Sequence, residues 1–450
     1  MPLSGLDIYK LLPKTNCKEC GVPTCLAFAM RLAQKQAELS ACPYVSDAAK
    51  AALESASRPP IRLVAIGSGA KKFEVGNETV MFRHERTFYH EPGIVVRVKD
   101  TTPADAVASL VREISAYSVE RVGFQLACNG FAVENASGNA ADFASCVRAV
   151  RSATDMPIVL MSTNPAAIEA ALASEAANKP LIYAATKDNV AAMADLAKKN
   201  ACPLAIRSAN GLDSLAELSE TVSNAGIEDI VLDPGARGFG DSLQALTQIR
   251  RLALRRNFRP LGYPIITFPG EGATSPAEET ALAAEHIAKY AGVIVIDNFK
   301  PESIYPLLTL RMNIYTDPQK PIQMQAGIYP LVNPTADSPL MVTTNYSLTY
   351  FSVAGEVESS GFPSWLLIVD TEGLSVVTSW AAGKFDAEKI AKAIKDADLS
   401  GIRHKKLIIP GAVAGLSGEL EEELPDYKIL VGPREAVDIT NYLRRTWSPD

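Results

Sequence analysis

The stretch Ile158-Val159-Leu160-Met161-Ser162-Thr163-Asn164, followed by an Ala-rich amphipathic segment over 165–178, shows the unit from which most of this chain is built. A short apolar run bounded by polar residues predicts a strand, and the helical spacing of apolar residues after it predicts a helix. The apolar residues of the run are continuous, which is typical of a parallel strand covered on both faces. The stretch therefore predicts one β/α unit of a parallel sheet.

The same unit recurs eight times along the middle of the chain. The predicted strands are 94–98, 122–126, 158–161, 181–184, 204–206, 230–232, 265–268 and 293–296. The predicted helices are 103–118, 141–153, 165–178, 188–200, 211–226, 241–256, 276–291 and 302–311. Eight units predict a closed (β/α)8, TIM-like barrel. A doubly wound open sheet is the alternative, and the count of eight favours the barrel.

Polar side chains follow several of these strands, among them Asn129, Asn210, Asp233 and Asn298. In (β/α)8 barrels the loops after the strands form the ligand-binding face. Loops are polar in any case, so these residues alone do not show that the barrel binds a small molecule.

Four of the seven cysteines, Cys17, Cys20, Cys25 and Cys42, lie close together as C-x2-C-x4-C-x16-C, with Pro43 after the last. Four thiolates from a short segment suit an inorganic cluster, and the spacing favours [4Fe-4S]. A structural zinc site is one alternative, although its usual spacing is a pair of C-x2-4-C knuckles. Two disulfides are the other, although they belong mainly to small secreted domains. The scattered cysteines, Cys128, Cys146 and Cys202, are expected to be small buried apolar residues.

The totals restrict the class of protein. A chain of 450 residues predicts about three domains. A net charge of −7 argues against nucleic acid as an electrostatic partner. No window approaches 18 uncharged apolar residues and the N-terminus lacks a signal-peptide pattern, so we expect no membrane span and a cytoplasmic location.

The composition changes near residue 318. Frequent prolines over 318–340 exclude a helix or a central strand and predict an extended connection. Apolar runs at 365–369, 406–409 and 428–431 then alternate with helical segments, which predicts an open, Rossmann-like α/β domain. We therefore expect three domains, at 1–57, 58–317 and 318–450.

The three C-terminal strands end in loops rich in Gly, Pro and Thr, and open parallel sheets bind ligands at those ends. Glycine lets the backbone approach a flat or charged ligand closely. No loop has a G-x-G-x-x-G or Walker A pattern, so NAD and ATP are poorly supported. Ordinary turn chemistry explains any single loop equally well.

The stretch LLPKTNCKECG at 11–21, together with Cys25 and Cys42, closely resembles the large (gamma) subunit of corrinoid iron–sulfur proteins. So do GNETVMFRHE at 76–85, DTEG at 370–373 and VGPRE at 431–435. The likeness covers the whole chain in order. It implies an α/β multidomain protein with an N-terminal [4Fe-4S] domain, a central barrel and a C-terminal corrinoid-binding domain.

The resemblance implies a methyl carrier of the reductive acetyl-CoA pathway, an anaerobic route of carbon fixation. In that family the Co(I) of a cobalamin-type corrinoid takes a methyl group from methyltetrahydrofolate through a methyltransferase. The methyl-Co(III) form passes it to acetyl-CoA synthase, and the cluster reduces any Co(II) back to Co(I). The implied partners are the small, barrel subunit in a heterodimer, the methyltransferase and acetyl-CoA synthase.

The resemblance also assigns residues. The four N-terminal cysteines hold the cluster, and three C-terminal loops with one tyrosine hold the corrinoid. The implied corrinoid residues are Tyr346, Thr371, Glu372, Gly373, Leu374, Ser375, Gly411, Ala412, Val413, Ala414, Gly415, Gly432, Pro433, Arg434 and Glu435. The D-x-H-x-x-G motif that supplies an axial histidine in many corrinoid proteins is absent from the sequence. We therefore expect a base-off cobamide, whose Co(II) is easier to reduce.

Two other functions stay open. The chain would be an electron-transfer or scaffold protein if it held the cluster without a corrinoid. It would be a methyltransferase in its own right if the barrel bound the pterin methyl donor, for which Asp233, Asn210 and Asn298 are the candidate residues.

Overall fold

The structure, a computed structural model, describes residues 5–33, 37, 39–46, 49–50, 59–318, 320 and 322–449. The chain divides into two compact units. The first comprises Met1–Tyr117 and Ala127–Tyr315, and the second comprises Ser118–Leu126 and Thr316–Asp450.

Strands and helices alternate along most of both units. The strands are β1 (Val64–Ile66), β2 (Phe73–Val75), β3 (Gly93–Lys99), β4 (Val119–Arg121), β5 (Phe124–Leu126), β6 (Gly130–Glu134), β7 (Ile158–Met161), β8 (Leu181–Ala185), β9 (Leu204–Arg207), β10 (Ile230–Asp233), β11 (Ile265–Thr267), β12 (Ala291–Ile296), β13 (Gly327–Leu331), β14 (Leu340–Thr344), β15 (Ser364–Val369), β16 (Lys406–Ile409) and β17 (Lys428–Val431). The helices are α1 (Gly5–Leu11), α2 (Cys25–Ala33), α3 (Ala104–Ala116), α4 (Ala140–Ala153), α5 (Pro165–Glu175), α6 (Val190–Asn200), α7 (Leu212–Asn224), α8 (Phe239–Arg256), α9 (Pro269–Gly272), α10 (Pro276–Ala288), α11 (Pro301–Tyr315), α12 (Ser347–Ser360), α13 (Val376–Ala381), α14 (Ala387–Asp396), α15 (Ser417–Glu423) and α16 (Ile439–Thr446).

The predicted closed barrel is confirmed. Its eight strands, β3 and β6 to β12, are all parallel, and β12 pairs with β3 to close the ring. The continuous apolar runs fit this arrangement, because residues such as Val159, Leu160 and Ile230 are buried on both faces of the strands. The antiparallel β1–β2 hairpin packs against the amino ends of the strands. A Cβ on Gly93 would collide with the Phe73 ring at 2.2 Å, and one on Gly292 would lie 3.2 Å from Val75, which is a tight contact.

The predicted second barrel strand, 122–126, is wrong. Strands β4 and β5 form an antiparallel hairpin that belongs to the second unit. Val122 and Gly123 form its turn, with φ of 50° and 83°. Two successive positive φ values are typical of the tight turns that join hairpins. The second barrel strand is β6 instead, in which Phe131, Ala132 and Val133 are fully buried.

This shift moves Asn129 to the other end of the barrel. It precedes β6, so it lies at the amino end of that strand rather than at the ligand-binding face. Its side-chain oxygen accepts hydrogen bonds from the Ile94 backbone N–H at 3.0 Å and from the buried guanidinium of Arg311. Asn129 therefore connects a strand to helix α11 and is not a candidate ligand residue.

The second unit contains a five-stranded sheet in the order β13-β15-β14-β16-β17. Four strands are parallel, and β13 runs antiparallel at one edge. The predicted extended connection over 318–340 is therefore partly wrong, since it contains the edge strand β13. An edge position is where a strand tolerates a proline, here Pro330. The terms Rossmann-like and corrinoid-binding stay predictions for this unit.

Candidate functional site

The cysteine segment packs around one small apolar core. Cys20, Cys25 and Cys42 contact a cluster that includes Phe28 of α2 and Ile8 of α1. Cys17 is exposed. Three of the four predicted ligands thus lie in or against one side-chain cluster, although no three of the four, among the residues described, are already arranged to bind a single metal ion.

The loop before α2 is shaped for sulfur. Lys14, Asn16 and Lys18 all have positive φ, 61°, 51° and 67°, and such alternation turns backbone N–H groups toward one side. The Asn16 N–H lies 3.4 Å from the Cys25 sulfur, and the Asn16 side-chain oxygen accepts from the Cys25 N–H at 2.8 Å. Backbone N–H donors to sulfur are one means by which proteins stabilise charged iron–sulfur centres.

Tyr44 lies near two of the cysteines that are distant in sequence, Cys17 and Cys42. Its hydroxyl donates to Glu19 at 2.8 Å. The pKa of Tyr44 is raised chiefly by this hydrogen bond and by the Glu19 charge, and the thiols of Cys17 and Cys42 add to the rise. Cys17 and Cys42 therefore share one neighbourhood. All seven cysteines are free thiols, so the structure gives the disulfide alternative no support.

The ligand-binding face of the barrel is filled by its own charges. Asp233 is completely buried and accepts from both terminal nitrogens of Arg237 at 2.9 Å, from the Tyr183 hydroxyl at 2.7 Å and from the Gly235 N–H at 2.8 Å. Arg237 also donates to Glu271 at 2.6 Å. Asp233 is thus fully occupied by protein donors.

The electrostatics fix the protonation states of this network. Burial would lower the pKa of Arg237, but the hydrogen bonds and charge of Asp233 outweigh it and raise that pKa. Burial, together with the Asp233 charge, raises the pKa of Tyr183 well above its ordinary value. Arg237 stays a cation and Tyr183 stays neutral, as a closed structural network requires.

The other two pterin candidates are placed differently. Asn298 donates to Ser303 at 2.9 Å, and its backbone N–H donates to Glu279. The Asn210 backbone N–H donates to Ser208 at 3.3 Å. Beside the Asp233 network, Arg97 pairs with Asp297 at 2.5 Å and with Glu271 at 3.1 Å.

A cavity of about 270 Å³ lies in the second unit, at the carboxyl ends of β14 and β16. The chain passes from β15, on one side of β14, to β16 on the other, and such reversals mark ligand sites in open α/β sheets. The cavity is mostly apolar, with Val342, Leu366 and Ile408 among its lining. Five predicted corrinoid residues line it: Tyr346, Gly432, Pro433, Arg434 and Glu435.

The other predicted corrinoid residues form two neighbouring loops. Gly411 has no room for a side chain, because a Cβ there would lie 2.4 Å from the Gly432 carbonyl oxygen. Val413 packs in the core of the unit, and Ala414 and Gly415 are exposed. The loop over 370–375 makes its own hydrogen-bonded turn, with Glu372 and Gly373 at positive φ. Tyr346 is the N-cap residue of α12.

Comparison with known proteins bears on the whole chain. A sequence profile described as CO dehydrogenase/acetyl-CoA synthase delta subunit matches residues 63–443, and one described as a putative Fe-S cluster matches residues 12–44. The corrinoid/iron-sulfur protein large subunit of Moorella thermoacetica is 46% identical, covering 99% of each chain. The chain belongs to the corrinoid/iron–sulfur protein large-subunit family.

Archaeal members of this family are more distant but equally complete. The acetyl-CoA decarbonylase/synthase complex subunit gamma 1 of Methanosarcina mazei is 35% identical, covering 99% of both chains. The gamma subunit of Methanothermobacter thermautotrophicus is 34% identical over 98% of this chain and 99% of its own. In this family member, none of the helices that the structure describes has the length and apolarity that a membrane crossing requires.

The sequence did not indicate two buried polar residues at or beside the cavity of the second unit. Thr343 lines the cavity, is 2% exposed, and its hydroxyl has no hydrogen-bond partner among the described residues. Asn345, also 2% exposed, lies between the cavity and the 370–375 loop. The signal was a polar run directly after the apolar residues of β14, but the surrounding prolines suggested a linker.

Proposed function

We propose that this chain is the methyl carrier of a reductive acetyl-CoA pathway, holding a corrinoid in its second unit and a [4Fe-4S] cluster at Cys17, Cys20, Cys25 and Cys42. The observation that carries the proposal is the cavity at the carboxyl ends of β14 and β16, lined by five residues that the family likeness assigns to the corrinoid. Membership of the large-subunit family supports it over the full length of the chain.

The residues of this region fit a large, flat cofactor with polar edges. The lining is apolar, which suits a macrocycle, and Gly432 presents backbone instead of a side chain. The unpartnered Thr343 hydroxyl offers one buried polar contact inside the cavity, while Arg434 and Glu435 supply charges at its exposed rim. The bound corrinoid supplies the methyl-accepting and methyl-donating chemistry, and these residues hold and orient it.

We propose further that the corrinoid is bound base-off. The lining of the cavity contains no histidine. The nearest histidine in sequence, His404, is engaged with the Ser338 carbonyl and the Lys406 N–H on a loop before β16. A corrinoid at the carboxyl ends of the strands would thus receive no imidazole from the described residues of the second unit.

The cysteine segment supports an iron–sulfur cluster of the four-thiolate type. Its apolar core and the N–H donor to Cys25 provide the protected, hydrogen-bonded environment that tunes such clusters. We propose that the cluster delivers the electron that returns oxidised corrinoid to its active state. The proposed partners are a small barrel subunit in a heterodimer, a methyltetrahydrofolate methyltransferase and acetyl-CoA synthase, in a reducing cytoplasm.

The alternative of a barrel methyltransferase is disfavoured by Asp233. A pterin would need an acceptor at this face, but every strong acceptor site of Asp233 is taken by Tyr183, Arg237 and Gly235. The barrel therefore fits a scaffold better than a pterin site.

The test is to purify the full chain with its partner subunit without oxygen and measure metals and spectra. We expect about four iron atoms and one cobalt per chain, with corrinoid absorption bands. The Co(II) electron paramagnetic resonance spectrum should lack hyperfine splitting from an axial nitrogen. Zinc in place of iron, or cluster absorption without cobalt, would contradict the proposal and favour the scaffold or electron-transfer function.

A further inference from the structure

Asn345 is the residue through which the cavity and the 370–375 loop are joined. Its side-chain oxygen accepts three hydrogen bonds from that loop: the Thr371 N–H at 3.0 Å, the Gly373 N–H at 2.9 Å and the Thr371 hydroxyl at 2.8 Å. Its side-chain nitrogen donates to Asp370 at 2.9 Å and to Gln323 at 3.1 Å. One buried amide thus makes five contacts.

These contacts stabilise a loop whose backbone conformation is unfavourable. Glu372 has φ 56°, a left-handed conformation that is unfavourable for a residue with a Cβ. Gln323 lies across Gly373, where an added Cβ would approach its side chain within 2.7 Å. Asp370 also accepts the Glu372 N–H at 3.0 Å. The turn is therefore held in this conformation by its contacts with Asn345, Asp370 and Gln323.

The backbone N–H and carbonyl of Asn345 are also hydrogen-bonded. Its N–H donates to the Val369 carbonyl at 3.0 Å, and its carbonyl accepts from the Met324 N–H at 2.9 Å. The next residue, Tyr346, lines the cavity and begins α12. A shift of Asn345 would therefore move the cavity wall and the loop together.

We infer that Asn345 is a positioning residue for corrinoid binding: it touches no cofactor itself but sets the 370–375 loop at the correct distance from the cavity. This rests on the proposed function, since it presumes that loop and cavity hold one cofactor. Only an amide fits the position, because the site needs an acceptor toward Thr371 and Gly373 and donors toward Asp370 and Gln323. An aspartate at this position would still accept from Thr371 and Gly373, but it would place a negative charge against Asp370.

The test measures hydroxocobalamin binding by the corrinoid-free, full-length chain. Asn345→Asp should weaken binding about tenfold or more, because buried donors and acceptors lose their partners. Gln323→Leu, outside the cavity lining, removes one of the two acceptors of the Asn345 amide and should weaken binding in the same direction but less. Thr344→Val is the matched control, since the Thr344 hydroxyl is buried on the same strand without a hydrogen-bond partner among the described residues.

Unfolding followed by tryptophan fluorescence separates binding from folding, because all three tryptophans, Trp365, Trp380 and Trp447, lie in the second unit. Equal affinity of wild type and Asn345→Asp, with both folded, would overturn the inference while leaving the proposed function intact. If Asn345→Asp does not fold, Gln323→Leu decides: a folded variant with weakened binding supports the inference, and a folded variant with wild-type affinity overturns it. A wild-type chain that binds no cobalamin would instead refute the proposed function.

Discussion

Asp233 shows how a single residue decides between two functions of a barrel. A carboxylate at this face is a typical ligand-binding group, but here it is completely buried and satisfied by Arg237 and Tyr183. Removing one partner of such a pair leaves the other charge buried and uncompensated, which costs more than the pair gains. We therefore expect Asp233 to stabilise the barrel.

We expect Asp233→Asn to destabilise the barrel by about 3 kcal/mol, since Arg237 would keep only Glu271 as a counter-charge. Far-ultraviolet circular dichroism during urea unfolding measures this. Lys199→Ala, which breaks an exposed pair with Glu169, is the control and should change stability by about 0 to 1 kcal/mol. Unchanged stability with loss of methyltetrahydrofolate-dependent activity would show that Asp233 binds the pterin after all.

His286 predicts a pH dependence of the same barrel. It is fully buried, and burial, assisted by the Arg237 charge, lowers its pKa from 6.5 to about 4. Below pH 6.5 the unfolded chain binds a proton at His286 that the folded chain does not bind. The stability of the folded state that depends on neutral His286 is therefore complete above pH 6.5 and is lost as the pH falls toward 4. Between pH 7 and pH 5 the loss is about 2 kcal/mol.

His286→Leu removes this titration and should flatten the pH dependence of the unfolding free energy over that interval. The measurement is urea unfolding of both proteins at pH 7 and pH 5, with the carboxylates acting equally in each. A variant whose stability falls as steeply as that of wild type would contradict the assignment.

Some site residues could be predicted from sequence and others could not, for a physical reason. Cysteines have few roles, so four at Cys17 to Cys42 indicate a ligand set before any fold is known. Asn345 has many roles, and its partners Gln323, Asp370 and Gly373 lie 22 to 28 residues away. An asparagine after a strand resembles any turn residue, so only the fold reveals its function.

At the scale of elements, the hairpin β4–β5 is the clearest departure from the predicted barrel. Its chain leaves the first unit after α3 and returns at β6, yet it belongs to the second unit. Gly123 allows the hairpin to pack in the second unit, because Tyr329 and Gln325 lie so close to its Cα that a side chain at this position would be crowded. The Glu120 charge also raises the pKa of Tyr329 and Tyr350, although burial is the larger cause.

Gly123→Ala should destabilise the second unit by about 1 to 3 kcal/mol, because the new Cβ would adopt a positive φ and lie 3.0 Å from the Tyr329 hydroxyl. Gly361→Ala is the matched control: it has φ 67° in the same unit and no neighbour within 4 Å. Tryptophan fluorescence during unfolding compares them. An equal loss in both variants would mean that the contact with Tyr329 contributes nothing.

The barrel could be predicted from the sequence because a predominantly apolar run marks seven of its eight strands, as in β7 and β10. The eighth, β6, begins with Gly130 and ends with Glu134, so it resembles a loop. Residues 122–126, by contrast, are apolar enough to resemble a strand of the ring. Periodicity alone cannot distinguish a short parallel strand from one arm of a hairpin, since only the pairing partner differs.

For the whole molecule, the proposed function separates electron delivery from cofactor binding, since the cysteines and the cavity lie in different units. Cys25→Ala should therefore remove iron but leave bound cobalt unchanged. Methyl transfer started with a strong chemical reductant should proceed, and recovery after oxidation should fail with a protein electron donor. Glu19→Gln, beside Cys20 but not a thiol, is the control and should retain iron. Loss of cobalt together with iron would show that the two sites are not independent.

The most direct measurement follows a labelled methyl group. The reduced full-length chain with its partner subunit is mixed with methyl-labelled methyltetrahydrofolate and methyltransferase, then separated and given acetyl-CoA synthase. We predict that label remains on the protein in proportion to its cobalt and leaves when the synthase is added. A protein that contains cobalt but never carries label, or one that carries label without cobalt, would contradict the account.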